Sequence, residues 1–303
     1  MSEQQAAKIP RVGFLAPGAP AGAPTEAFRQ GLAKLGYVDG QNIVIEGRFA
    51  EGQFERFPQL AADLAGLKVD VIAMVGAVTA RAAQKVVTDI PLVFTIVVDP
   101  VADDVVANSE LPGGNITGVT NYDPQQARKR LELLGTVIPG LKRLAVLGDR
   151  GVSEAQMQAS EAAARALGMQ PQGLRVGGAT PDLEGAFAAI AGEHADAVLI
   201  LEEPVLGIHR KRIAELATQE RLPTMFPPLS ADAGGLLSYG TNLVEPIHRM
   251  AVYVDKILKG AKPGTLPVET VTRYDLIVNP KTARAIGATI PHEVVERADR
   301  VIE

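Results

Sequence analysis

Cysteine and tryptophan are absent from this 303-residue chain, and aromatic residues make up only 4% of it. The missing cysteines exclude disulfides, thiolate metal sites and cysteine nucleophiles. With so few aromatics, base-stacking platforms for nucleic acid are not expected. A basic excess is lacking too. Against 30 Lys+Arg stand 35 Asp+Glu, a net charge of −5, where a nucleic-acid binder would show a basic stripe. No run of about 18 or more apolar residues occurs, so no membrane span is expected. Met1 to Ala7 is polar and small, without the positive and apolar regions of a signal peptide.

What the chain does have is 47% hydrophobic and 21% charged residues, enough apolar side chains to offset the entropy of ordering. Its length fits about two domains of roughly 150 residues each. The 30 Gly and 21 Pro point to many short connections.

Short apolar runs at 11–16, 69–75 and 91–97, and a strand of alternating polarity at 42–49, are interleaved with helical periodicity at 25–35, 54–67 and 79–87. Asp99-Pro100 reads as the start of a further helix, with Asp99 at the N-cap. Leu111-Pro112-Gly113-Gly114-Asn115 then interrupts with a loop. A second series follows, with strands at 144–147, 174–176, 197–201 and 224–226 and helices at 128–137, 153–167, 183–190 and 208–221. The spacing in both series fits βαβ units of roughly 30 residues. Two similar doubly wound α/β halves with parallel sheets are therefore expected. A helix at 243–258, a strand at 271–278 and a helical tail at 281–301 broken at Pro291 complete the chain. A lone strand must join an existing sheet to satisfy its backbone groups, so this tail is expected to return across both halves. The expected division is 8–118 plus 243–278 for one lobe and 119–242 plus 279–303 for the other.

Catalytic signatures are missing. No GxGxxG follows the first strand, and no Walker-type phosphate loop exists. Ser238 misses the nucleophile-elbow pattern because Leu236 stands where Gly is required. The four histidines, His194, His209, His248 and His292, are far apart, and none has a partner at metal-binding spacing. No enzyme, cofactor or metal site is expected.

Ligands of open α/β sheets bind beyond the carboxyl ends of the strands. That rule selects Pro17, Gly18 and Ala19 after the first strand, and Gly76, Ala77, Val78 and Thr79 after the third. It also selects Val98 and Asp99 after the fourth, and Asp149, Glu202 and Glu203 in the second half. The run from Gly76 to Thr79 opens a helix, whose free N–H groups and positive dipole end suit an anionic group. Asp99, Asp149 and the Glu202-Glu203 pair offer acceptors for an ammonium or hydroxyl; helix capping and turn formation are the competing roles of the two aspartates. Tyr122, Phe226 and Tyr239 are placed to cover a ligand with apolar surface.

The run Leu35-Gly36-Tyr37-Val38-Asp39-Gly40-Gln41-Asn42-Ile43, with Glu46 and Arg48, resembles the ABC-transporter substrate-binding protein family related to tryptophan/tyrosine importers. Asp99-Pro100, Leu111-Pro112-Gly113-Gly114-Asn115-Ile116-Thr117-Gly118, Gly234-Gly235-Leu236-Leu237-Ser238-Tyr239-Gly240 and Tyr253-Val254-Asp255-Lys256-Ile257-Leu258-Lys259-Gly260 continue the resemblance in order. It implies a type I periplasmic binding fold, with two lobes, hinge strands and a small organic solute held between the lobes. It also implies a periplasmic location, an export leader removed from the sequence, an ABC permease as partner and a monomeric working form. An amino-acid-like or aromatic carboxylate is the expected ligand. The chain departs from relatives that carry Ser/Thr-Pro-Ala after the third strand, since Gly76-Ala77-Val78-Thr79 stands there. The remaining alternatives are a ligand sensor coupled to a signalling partner and an enzyme using the carboxylates.

Overall fold

The computed structural model describes residues 8–121, 123, 125–150, 152, 154–178, 180–201, 204–242, 244–271 and 273–303. In chain order the first elements are β1 (Arg11–Ala16), α1 (Ala23–Lys34), β2 (Val44–Phe49), α2 (Phe57–Gly66), β3 (Val71–Val75), α3 (Ala77–Gln84), β4 (Leu92–Val97) and β5 (Ile116–Thr120). There follow α4 (Gln126–Val137), β6 (Arg143–Asp149), α5 (Glu154–Ala166), β7 (Gln170–Val176), α6 (Leu183–Gly192), β8 (Ala197–Ile200), α7 (Pro204–Ile208), α8 (Arg210–Gln219), β9 (Thr224–Phe226) and β10 (Leu237–Thr241). The tail supplies α9 (Val244–Leu258), β11 (Glu269–Thr270), β12 (Tyr274–Val278), α10 (Pro280–Ile286), α11 (His292–Glu296) and β13 (Arg300–Val301).

The chain forms two units, residues 1–120 with 244–270 and residues 121–243 with 271–303. The first unit holds a six-stranded sheet ordered β11-β5-β4-β3-β1-β2, parallel throughout. The second holds seven strands ordered β13-β12-β10-β9-β8-β6-β7. There β12 runs antiparallel to β10, and the other pairs are parallel.

The central strands β1, β3, β4, β6 and β8 are buried on both faces, which is why they read as unbroken apolar runs, whereas β2 and β7 at the sheet edges are only partly buried. On β6, Leu144 and Val146 join one core cluster with α4, α5 and α10, while Ala145 and Leu147 join another with α6 and α8. In the first unit, Leu92 and Phe94 of β4 pack with α2 and α3. On the opposite face Phe14 stacks on Phe28 of α1, with ring centroids 4.9 Å apart.

Four expectations need correction. The strand expected at 271–278 is shorter, β12, and pairs with β10, while β11 just before it is a separate strand that pairs with β5 in the other sheet. The expected lobe boundary at 278 is therefore placed too late, since β12 already belongs to the second unit. No helix follows Asp99; residues 100–104 form turns, with Asp103 N donating to Asp99 O at 2.8 Å. The tail ends in β13 rather than in helix.

The strand β5 escaped the sequence reading because it contains Gly118. All five of its residues are buried. A Cβ at Gly118 would collide with the carbonyl oxygen of Phe94 and stand 2.6 Å from that residue's Cγ. The glycine thus permits a close approach of strand to strand, a known reason for glycine inside a sheet.

In the first unit, α1 lies tightly on α9: a Cβ at Gly31 would stand 2.9 Å from that of Ala251. Beside this contact, Lys34 Nζ is 3.4 Å from His248 Nδ1, and the ring's Nε2 is buried without a partner. Burial, and after it the Lys34 charge, hold the imidazole below its ordinary 6.5, with Glu245 opposing.

Gly118→Ala is expected to destabilise the protein by about 2–3 kcal/mol, because overpacking here meets backbone. Gly66→Ala, with nothing within 4 Å, should be neutral or stabilising by up to about 1 kcal/mol. Urea denaturation of both variants checks the pair. For His248 the sign follows from proton counting. Between its lowered value and 6.5 the unfolded chain binds more protons than the folded one. Its share of stability is complete above 6.5 and declines as pH falls below it. Urea midpoints at about pH 5.5 and about pH 7.5 should differ less in His248→Gln than in the native chain.

Candidate functional site

Both sheets are wound outward in two directions from a switch point, β1/β3 in one and β6/β8 in the other. Turns that leave the carboxyl ends of those strands are where such sheets bind ligands. In the first unit this edge carries Pro17, Gly18 and Ala19 after β1, Gly76 to Thr79 after β3, and Val98 and Asp99 after β4.

Gly76 makes the turn from β3 into α3 with no intervening loop. Its φ of 90° and ψ of 153° lie where L side chains are strained. Its amide donates to Thr95 O at 2.9 Å, and its carbonyl accepts the first helical bond, from Ala80 N, at 3.1 Å. The amides of Ala77, Val78 and Thr79 therefore have no acceptor within the helix. They sit at the positive end of its dipole, where an anion is favoured.

Beside this turn the end of β4 is distorted. The β4–β5 register shifts between Phe94 and Val97. Ile96, a β-branched residue, takes a φ of 54°. Bulges and left-handed backbone of this kind gather at functional sites. Thr95, fully buried, leaves its hydroxyl without a partner. The Thr120 hydroxyl secures the distortion by donating to Val97 O and Val98 O at 2.6 and 3.1 Å. Asp99 Oδ1 accepts from the amides of Val101 and Ala102 at 3.2 and 3.0 Å, so this carboxylate closes a turn.

Asp149 of the second unit is fully buried at the end of β6. Its Oδ2 accepts from the amides of Val205 and Leu206 at 3.0 and 3.4 Å, which makes it the cap of α7. Arg175 holds the same turn, donating from Nη1 to the carbonyls of Asp149 and Val152 at 3.2 and 2.6 Å. Phe226, expected to cover a ligand, is instead a core residue: it is 0% exposed and packs with Leu147, Phe187 and Ile200. Tyr122, Glu202 and Glu203 lie outside the described residues.

Tyr239 is half-buried near the carboxyl end of β10, with a structured support. Its ring stacks on Tyr274, centroids 5.7 Å apart and planes 17° from parallel. The Tyr274 hydroxyl donates to Asp123 Oδ2 at 2.7 Å. Lys129 Nζ pairs with the same oxygen at 3.2 Å and lies 5.1 Å from the Tyr274 ring centroid. Buried Arg130 donates from Nε to Tyr239 O at 2.7 Å. Burial would raise the Asp123 carboxyl, but the Tyr274 hydroxyl, the Gln125 amide and Lys129 together hold it below the usual carboxylate range. Burial, and then Asp123, push the Tyr274 phenol well above its ordinary value, so it remains a donor. Burial raises the Tyr239 phenol as well.

Sequence reasoning missed Thr95, Ile96, Asn121 and the Asp123–Lys129–Tyr274 network. Asn121 follows β5 directly and is 0% exposed, with neither amide atom partnered. The strand-end rule applied to Asp99 would have selected it had β5 been recognised. Asp123 and Tyr274 are 151 residues apart, so no local pattern links them. Among the described residues, no group of three or more His, Asp or Glu is arranged to hold a metal, and no helix is long and apolar enough to cross a membrane.

The chain belongs to the family of ABC transporter substrate binding proteins, whose model matches residues 22–302. It is a solute-binding receptor of an ABC importer, a class of extracytoplasmic proteins whose partners are a small-molecule solute and a membrane permease. Among its relatives is the "Tyrosine-binding protein" of Clostridioides difficile (strain R20291), 24% identical over 263 residues that cover 86% of this chain and 75% of the relative. A solved conserved domain protein from Vibrio cholerae O1 biovar eltor is 27% identical, with a TM-score of 0.89 over 97% of this chain and 100% of that one. The ABC domain in complex with L-Trp from Streptococcus pneumoniae shares the fold, at 22% identity and a TM-score of 0.86 over 97% and 99% of the two chains.

Asp149→Ala is expected to lower stability by about 2 kcal/mol through loss of the α7 cap, and Asp149→Asn by less. Chemical unfolding of both variants reads the difference. A loss of solute affinity at unchanged stability would instead make Asp149 a ligand-binding residue.

Proposed function

We propose that this receptor captures a small organic carboxylate, amino-acid-like or aromatic, on the extracytoplasmic side of the membrane and, as a single chain, delivers it to its permease. One observation carries the reading: the α3 amides of Ala77, Val78 and Thr79 stand without helical acceptors at a switch point, behind a glycine with a φ of 90°. Such an array donates to an anion and cannot accept from a sugar hydroxyl. In the second unit, taken by itself, the half-buried Tyr239 ring backed by Tyr274 offers a flat aromatic surface of the kind a carboxylate with an aromatic body would use. Two relatives support the class, the tyrosine-binding protein and the L-Trp complex, since both names denote aromatic amino acids. Of the acceptors expected for an ammonium group, Asp149 caps α7 and Asp99 closes a turn. The reading therefore rests on the anion-binding end and the aromatic surface.

Thermal shift tests it. L-tyrosine, L-tryptophan and benzoate should stabilise the protein, by about 2.7 kcal/mol at a concentration a hundred times Kd. Stabilisation by myo-inositol or inorganic phosphate alone would contradict the reading. Gly76→Ala places a side chain at a strained φ and displaces the α3 amides. Calorimetric titration should show carboxylate affinity reduced about tenfold or more, equivalent to about 1–2 kcal/mol of backbone strain.

A further inference from the structure

Asn121 is the residue at which the chain leaves β5. It is completely buried, and neither Nδ2 nor Oδ1 has a hydrogen-bond partner. A carboxamide brings two N–H donors and an acceptor oxygen with two lone pairs. Buried amides with nothing to bond are rare because desolvation is then uncompensated. An apolar side chain of similar volume would remove that penalty. The position is also firmly held, since Thr120, the preceding residue, is anchored through its hydroxyl to the carbonyls of Val97 and Val98.

We propose that Asn121 is a ligand-reading residue, its Nδ2 donating to the carboxylate of the solute and its Oδ1 accepting from the solute's ammonium or hydroxyl group. The proposal rests on the carboxylate reading above and deepens it. A carboxamide is both donor and acceptor, as the α-carbon substituents of an amino acid require. Asp99 and Asp149, the described acceptors expected from sequence, are engaged by backbone amides. Asn121 therefore supplies the acceptor that an amino-acid-like solute needs, and it does so without placing a second negative charge near the carboxylate.

The test uses the full chain and two variants, Asn121→Ala and the isosteric Asn121→Asp. Titration calorimetry is run with L-tyrosine, L-tryptophan and 3-(4-hydroxyphenyl)propionate, which lacks the amino group. Melting of the ligand-free proteins is followed in parallel. Ligand-free Asn121→Ala should melt at the native temperature or above it. Its affinity for the two amino acids should fall about 10- to 100-fold, and its affinity for the desamino acid by less. Asn121→Asp, with an anionic oxygen in place of the donor, should bind all three carboxylates more weakly still. Amino-acid affinity of Asn121→Ala within about twofold of the native value would overturn the proposal while leaving the carboxylate reading in place. So would a lower melting temperature of both ligand-free variants with unchanged affinity, the mark of a structural role. If the native chain binds none of the three compounds, the carboxylate reading fails and this proposal with it.

Discussion

Parallel pairing of strands constrains the chain more than any single contact does. A strand that must lie parallel to its predecessor can be reached only by a crossover, here mostly through helices, and each crossover starts at the same edge of the sheet. The turns after β1, β3 and β4 therefore fall along one edge, as do those after β6 and β8 in the other sheet. Helices that begin at this edge point their unsatisfied N–H groups toward it. A polar, donor-rich rim is thus a consequence of topology before any particular residue is chosen. Residue choice then decides which of the donors stay available.

At α7 the donors are taken internally. Asp149 lies fully buried beneath the helix start, and its carboxylate accepts from two of its amides. A buried carboxylate is tolerable only with such compensation, because its desolvation is severe when unpaired. At α3 the residue before the helix is Gly76, which has no side chain to accept anything. The two helix starts thus differ: the α7 amides are accepted by a carboxylate from a distant strand, and the α3 amides follow a glycine that has no side chain to accept them.

Legibility from sequence divides along the same line. β1, β3 and β6 were readable because burial on both faces writes an unbroken apolar run into the chain. β5 was not, because the run Ile116-Thr117-Gly118-Val119-Thr120 follows a Gly-rich loop and its glycine serves a close approach to Phe94. The turn of Gly76 to Thr79 was found because strand, glycine and helix start are contiguous. Phe226 was misassigned because an aromatic at a strand end looks the same whether it faces a ligand or the core. Only the packing against Phe187 and Ile200 settles it. The brace beneath Tyr239 joins Asp123 to Tyr274 across most of the second unit, and only folding brings these residues into register.

The polar groups left unpartnered set a limit on how the fold can be stabilised. Thr95 and Asn121 are both 0% exposed, and their side-chain polar atoms lack partners. Each such group opposes folding by about 1–3 kcal/mol. Net stabilities of domains are only about 5–15 kcal/mol, so these penalties are a large fraction of the margin. Sheets covered on both faces make them tolerable, because apolar burial at about 25 cal/mol per Å² accumulates on two surfaces rather than one. The strained backbone at Ile96 and the register shift of β4 draw on the same reserve. Two-sided burial and an unsatisfied rim are therefore coupled features: the sheet stabilises the strained and unpartnered groups at its own carboxyl edge.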